Sequence, residues 1–176
     1  MASSKKQIAR IAAYGLVLQN QRILLCRISG QLPRDAGYWT LPGGGLNFGE
    51  DPAKAMAREV SEETGLIVRS LGVAGIDSFL RENEDHAFQG IRIIYHTELI
   101  GGTLTNELDG STDLCAWWSY KEAKRLPLVD LTEIGLDLAF SSGEFRPSSN
   151  NPNAGQDSLE SNATKIYTTG NDEFFV

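Results

Sequence analysis

The pattern of this chain is that of an α/β or α+β sandwich around a mixed sheet. Three features carry that reading. Runs of β-branched and small apolar residues alternate with two helical patterns, near 51–64 and 130–140. Hydrophobic residues make up 41% of 176, enough for a packed core, which excludes wholesale disorder. At ~150 residues per domain, that length is one domain with some chain to spare.

Gln19, Asn20 and Gln21 break the first apolar run, so residues 8–18 and 22–28 read as two strands joined by a tight turn. Residues 29–38 hold Gly30, Pro33, Asp35 and Gly37 and read as a loop. A short apolar stretch at 39–41 ends at Pro42. Gly43, Gly44 and Gly45 follow, where the backbone can take positive φ or approach a ligand closely. Asp51 before Pro52 is a helix start: a side-chain acceptor for the first free N–H groups, then proline at the first helical position. That helix runs to about Thr64, and Gly65 suits a left-handed C-terminal cap. Ala53, Met56, Ala57 and Val60 form its apolar stripe.

Strand patterns return at 66–78, interrupted by Gly72 and Gly75, and at 91–100, with 81–85 as a charged loop between them. Shorter strands are expected at 103–105 and 114–119. If 114–119 is a strand, Trp117 and Trp118 point to opposite faces. Ser119 caps a short helix through Lys124, with Glu122 as the reciprocal partner. Residues 130–140 read as an amphipathic helix with Leu131, Ile134 and Leu138 inward. The composition then turns to Ser, Asn, Gly, Pro and acids, which divides the chain into a domain at 1–142 and a polar tail at 143–176. Residues 143–160 are expected to be irregular and exposed. Ile166, Tyr167 and the terminal Phe174, Phe175 and Val176 are apolar enough to dock on the body or on a second subunit.

Lys plus Arg is 16 and Asp plus Glu is 23, a net charge of −7. An acidic surface argues against nucleic acid or an anionic membrane as partner, because both need a cationic footprint. No apolar run approaches the ~18 residues of a membrane span, and Lys5 and Lys6 precede nothing like a signal peptide. Cys26 and Cys115 lie in apolar runs and read as reduced thiols acting as small hydrophobes, as in a reducing cytoplasm.

The stretch from Gly44 to Leu66 is the informative one. It reads Gly44, five residues, Glu50, seven residues, Arg58-Glu59-Val60, one residue, Glu62-Glu63, one residue, Gly65-Leu66. Glu59, Glu62 and Glu63 stand at i, i+3 and i+4, on one side of the helix. A divalent cation removes the repulsion among them, and hard carboxylate oxygens suit Mg²⁺ or Mn²⁺. The adjacent glycines can add a backbone carbonyl and let a phosphate approach. A glutamate cluster alone is ordinarily a solvated helix face. Seven fixed residues and two apolar positions at set offsets, however, arise by chance with probability on the order of 10⁻⁷ at average residue usage.

This stretch resembles the signature box of the Nudix hydrolases at every defining position, and Trp39 to Gly44 resembles that family's lead-in. Asn47 departs from the acid many members carry, at a position that is not defining. The resemblance implies a Nudix-type α/β/α sandwich with a central mixed β-sheet over about 8–140. It implies Mg²⁺- or Mn²⁺-dependent hydrolysis of a phosphoanhydride in a nucleoside diphosphate linked to another moiety. Glu59 and Glu63 would be the main metal ligands and Glu62 a third, with the carbonyl of Gly43 or Gly44 completing the protein shell. Glu50 would act through water, and Arg58 would hold a box glutamate in place. Gly44 and Gly45 would lie against substrate phosphate. Arg27, at the end of the second strand, is a candidate phosphate contact, with Arg34 in the next loop a weaker one. Of the acids Glu107, Asp109 and Asp113, Asp109 is the choice for an extra acid at the metal or the attacking water. Members of this size are often homodimers.

The substrate expected is a small-molecule nucleotide. Leu80 to Asn83 hold neither the proline nor the tyrosine that mark some subfamilies, which leaves a (d)NTP pyrophosphatase or a broad-specificity enzyme as the default. The alternative is a Nudix-fold module that senses a nucleotide without cleaving it. Lost box carboxylates would have favoured it, and none is lost.

Overall fold

The structure is a computed structural model that describes residues 5–83, 85–107, 109–140 and 165–168. The larger sheet is built from Lys6–Leu16 (β1), Gly43–Gly45 (β5), Leu66–Glu82 (β6), His86–Gly102 (β7) and Lys165–Thr168 (β9). Its order is β5-β1-β7-β6-β9, and it is mixed: β1 is parallel to β7 and antiparallel to β5, while β6 is antiparallel to β7 and parallel to β9. In the smaller sheet, Arg22–Ile28 (β3) pairs antiparallel with Leu18–Gln19 (β2), Trp39–Thr40 (β4) and Thr112–Ser119 (β8).

The core forms on both faces of these strands. Leu24 and Cys26 of β3 pack with Met56 and Val60 of the helix Pro52–Thr64 (α1). The alternate residues Ile23 and Leu25 pack with Leu131 and Leu136 of the helix Asp130–Phe140 (α3). A strand covered on both faces reads as an unbroken apolar run, as β3 does. Trp117 joins the α1 side and Trp118 the α3 side, where Trp118 meets Trp39 edge-on at 5.1 Å between ring centroids. The result is the expected α/β/α layering.

Local signals set the helix ends. The Asp51 carboxylate accepts from the Ala53 and Lys54 amides at 3.0 and 3.1 Å, and Gly65 closes α1 at φ 68°. Ser119 and Glu122 form the full reciprocal cap of the short helix Tyr120–Ala123 (α2).

Several expectations are corrected. The first apolar run meets the second around the expected tight turn only at its end, where Leu18 pairs with Ile23 and the Leu24 amide donates to the Val17 carbonyl. β1 belongs to the larger sheet, and only the two-residue β2 pairs with β3, around a turn whose residues Asn20 and Gln21 both have positive φ. Of the charged stretch expected as a loop, 81–85, Arg81 and Glu82 belong to β6, which pairs with β7 as far as Glu82 and Ala87, while Asn83 and Asp85 lie between the strands. Residues 103–105 form no strand; the Thr105 amide instead donates to the Thr64 carbonyl at the end of α1. Gly72 and Gly75, expected to interrupt 66–78, fall at register shifts in a strand that runs on to Glu82.

The cysteines are not free thiols. Cys26 and Cys115 lie directly opposite each other on β3 and β8 and are joined by a disulfide. The alternation that turns both side chains into the α1-side core also turns them toward each other, so they lend no support to a reducing compartment. None of the described helices is long and apolar enough to cross a membrane. Lys165–Thr168, placed in the tail by composition, adds a strand to the edge of β6. The expectations for 143–160, for Phe174 to Val176 and for a boundary at 142 lie outside the described residues.

Candidate active site

The β1–β5 pairing sets the glycines against α1. Gly44 lies opposite Ala13, and a Cβ at Gly44 would stand only 2.5 Å from the Glu59 carboxylate, so any side chain there would push that carboxylate from its place. The Gly43 amide donates to Glu63 Oε2 at 2.9 Å, and Ser111, just before β8, donates its hydroxyl to Glu63 Oε1 at 3.3 Å. Glu63 is 4% exposed. Burial pushes its carboxyl up to about 8; Glu59 and Glu107 add to the rise, and the Gly43 and Ser111 hydrogen bonds oppose it.

Arg58 ties the remaining carboxylates together. Its Nε and Nη2 donate to the two Glu50 oxygens at 2.9 Å each, and Nη2 also reaches the Gly45 carbonyl at 3.2 Å. Its Nη1 donates to Glu59 at 2.9 Å and to Glu62 at 3.1 Å. The Arg58 bond, and then the Asn47 amide, push the Glu50 carboxyl down to about 2. The role expected for Arg58, holding box glutamates by charge-assisted hydrogen bonds, therefore has a geometry here.

Among the described residues, no three acidic, histidine or cysteine side chains are already drawn into a ligand cage. The guanidinium of Arg58 occupies Glu50, Glu59 and Glu62 instead. The donor set nevertheless fits a hard divalent cation. It is all oxygen, it lies against a glycine strand, and it includes a buried carboxylate that, among the described residues, meets one amide and one hydroxyl but no cation. Glu59 and Glu63 are the residues that would hold such an ion.

A pH dependence follows. The Glu63 value in the fold lies above the ordinary 4.5, so the metal-free fold retains a proton that the unfolded chain has released. The stability this group contributes is full at low pH and is lost as pH rises toward about 8. Cation binding requires the anion, so a divalent ion should raise Tm more at about pH 9 than at about pH 6. Equal increments in thermal melts at the two pH values would rule this out.

The sequence-selected residues are only partly assembled. Glu59, Glu63, Gly43, Gly44 and Gly45 line a cleft of about 710 Å³. Arg27 is not among its lining residues; its Nε donates to Asp113 at 2.8 Å on the outside of β3. Asp109 sits in a turn at φ 59°, where its carbonyl accepts from the Gln31 side chain. The acid this loop brings to the helix is Glu107, whose carboxyl is raised by burial and then by Glu59 and Glu62.

The cleft also holds residues that motif reading missed. Tyr14 of β1 stands among Arg10, Arg92, Glu59 and Glu63, and burial raises its phenol so that it stays neutral. Arg92 is buried between two acids. It bonds Asp77 across the β6–β7 pair, and its Nη1 donates to Asp130, the first residue of α3, at 2.9 Å. The signal was available: Arg10, Ala12 and Tyr14 alternate along β1, as residues of one sheet face must.

Comparison with known proteins agrees with this geometry. The family model described as NUDIX domain matches residues 9–134. An ADP-ribose pyrophosphatase of Methanocaldococcus jannaschii is 30% identical over 127 residues, 72% of this chain and 67% of that one. An RNA pyrophosphohydrolase of Brucella ovis is 29% identical over 141 residues, 79% of this chain and 70% of that one. The crystal structure of a MutT protein from Methanosarcina mazei Go1 superimposes with a TM-score of 0.64 at 24% identity, over 81% of this chain and 99% of that one, a likeness of fold. The matched span takes in the strands, the glycines and the carboxylate helix that build the cleft, and on that ground the chain belongs to the NUDIX domain family and is a Nudix hydrolase.

Proposed function

We propose that the chain hydrolyses a phosphoanhydride in a nucleoside diphosphate linked to a second moiety, with Mg²⁺ as the cation. The observation that supports this most is the buried Glu63 carboxylate, met by no cation among the described residues, beside Glu59 and the glycine strand that lines the cleft. Bound there, Mg²⁺ supplies charge neutralisation and a more acidic water. Glu59 and Glu63 hold the ion, and Arg58 keeps Glu50, Glu59 and Glu62 aligned. Glu107, whose carboxyl is raised by burial and then by Glu59 and Glu62, would take a proton from the attacking water. Tyr14 donates its O–H to a phosphoryl oxygen while staying neutral. The names of the relatives, ADP-ribose pyrophosphatase, RNA pyrophosphohydrolase and 8-oxo-dGTP diphosphatase, all denote cleavage of a diphosphate. The net charge of −7 favours a small nucleotide over a polyanionic strand.

A phosphate-release screen over (d)NTPs, ADP-ribose, nucleotide sugars and dinucleoside polyphosphates, with Mg²⁺ and with Mn²⁺, tests the proposal. Binding without cleavage of any of them would replace it with the sensing module. Removal of residues 143–176 is expected to leave turnover on the best substrate essentially unchanged, because β9 lies at the opposite edge of the sheet from β5. Loss of turnover in a folded truncation of unaltered oligomeric state would assign the tail a direct part in the site.

A further inference from the structure

The cleft carries more cations than the cleaved group can use. Among the described arginines, Arg22, Arg27, Arg58, Arg69 and Arg92 are ion-paired. Arg10, Arg34, Arg81 and Arg125 make no ion pair with a described residue, and three of these four line the cleft. In a chain with a net charge of −7, that gathering marks a place for an anion from outside.

Strand register locates it. Gly44, which abuts the Glu59 carboxylate, lies opposite Ala13. The Arg10 guanidinium folds back against Gly45, 2.7 Å from where a Cβ there would stand, and so belongs to the glycine end, whereas β7 lies two strands from β5, roughly 10 Å at ~4.8 Å per strand. Arg10 lies opposite Gly90 of β7, and Gly90 lies opposite Phe79 of β6. The Phe79 ring covers Gly90, and the Arg81 guanidinium sits over that ring, 4.8 Å from its centroid. Arg34 arrives from the loop between β3 and β4, near enough to bear on Arg81, whose charged form is disfavoured first by burial and then by Arg34. Asp35 and Asp130 pull the other way, but Asp130 is already bonded to Arg92. Two like charges held together in a cleft oppose each other in the free protein, and a bound anion relieves both.

A pyrophosphate seated at the carboxylates is too short to span that distance. What lies there is a group about one sugar further along the substrate. We propose that Arg34 and Arg81 form a second anion subsite, which takes a phosphomonoester carried on a sugar of the substrate, outside the pyrophosphate that is cleaved. This deepens the reading above and rests on it for the orientation of the substrate. The planar guanidinium forks suit a phosphate dianion, which accepts paired hydrogen bonds from each.

Equilibrium binding to the full chain with Mg²⁺, measured by calorimetry, tests the subsite without requiring turnover. The probes are adenosine 2′,5′-bisphosphate and adenosine 3′,5′-bisphosphate, each against adenosine 5′-monophosphate. At least one bisphosphate is expected to bind about tenfold more tightly than the monophosphate at low salt. That ratio should fall below about twofold in both Arg34→Gln and Arg81→Gln, and persist in Arg125→Gln, an unpaired arginine away from the cleft. Equal binding of all three nucleotides, or a ratio that survives either cleft substitution, would overturn the proposal. Because binding is read apart from hydrolysis, a chain that cleaves nothing can still show the preference, and an active hydrolase can still lack it.

Discussion

Replacement of Glu63 by glutamine is expected to lower kcat about a thousandfold, ~4 kcal/mol in the transition state, while the fold is kept. The substitution preserves shape and an oxygen acceptor for the Gly43 amide, but removes the charge that would hold the cation. Its effect on stability runs the other way. Glu63 is buried, and the resulting desolvation disfavours its ionised form. A neutral amide escapes that penalty, so the metal-free variant should melt no lower than the wild type above about pH 8. Single-turnover kinetics and a thermal melt on the same sample read both effects. Near wild-type turnover would show that the carboxylate assignment is wrong, and a large fall in Tm would show that Glu63 is a structural group.

Arg92→Leu is expected to cost about 3–5 kcal/mol of unfolding free energy. Asp77 is fully buried, and removal of its guanidinium partner leaves an uncompensated carboxylate facing a cut connection to α3. Burial already pushes the Asp77 carboxyl above its ordinary value against the pull of Arg92, so the group has little else to lean on. Adding Asp77→Asn to Arg92→Leu should recover much of the loss, since a neutral amide is cheaper to bury than an orphaned charge. Urea denaturation of the single and double variants measures this. A single-variant loss below about 1 kcal/mol would mean that the pair is solvated in solution.

The helices were legible because their signals are local. Asp51-Pro52 and Gly65 state the ends of α1, and Ser119 with Glu122 state the start of α2, whatever the rest of the chain does. The strands were legible as strands but not as neighbours. Nothing within residues 8–28 reveals that β1 pairs with β7, which begins seventy residues after β1 ends and fixes the larger sheet. Gly43 to Gly45 were read for their freedom rather than as a strand, since β propensity is lowest where a side chain is absent. The site divides in the same way. The box residues come from one contiguous stretch and were readable in place. Arg10, Tyr14 and Arg92 come from β1 and β7, and only the sheet register brings them together, whereas Glu107, one of three acids the sequence offered in its loop, feels Glu59 and Glu62 of α1. Arg27 failed for a related reason: its partner Asp113 is 86 residues away and lies beside it only because β8 pairs with β3.

The bond between Cys26 and Cys115 turns the intervening chain into a covalent ring, and that ring encloses β5, α1, β6 and β7. A single protease cut at the turn between β6 and β7 opens the ring without releasing a fragment. The nicked protein should therefore run as one band on a non-reducing gel and as two after treatment with a thiol. One backbone break between β6 and β7 leaves α1 and β8 tethered to each other for as long as the sulfurs stay oxidised.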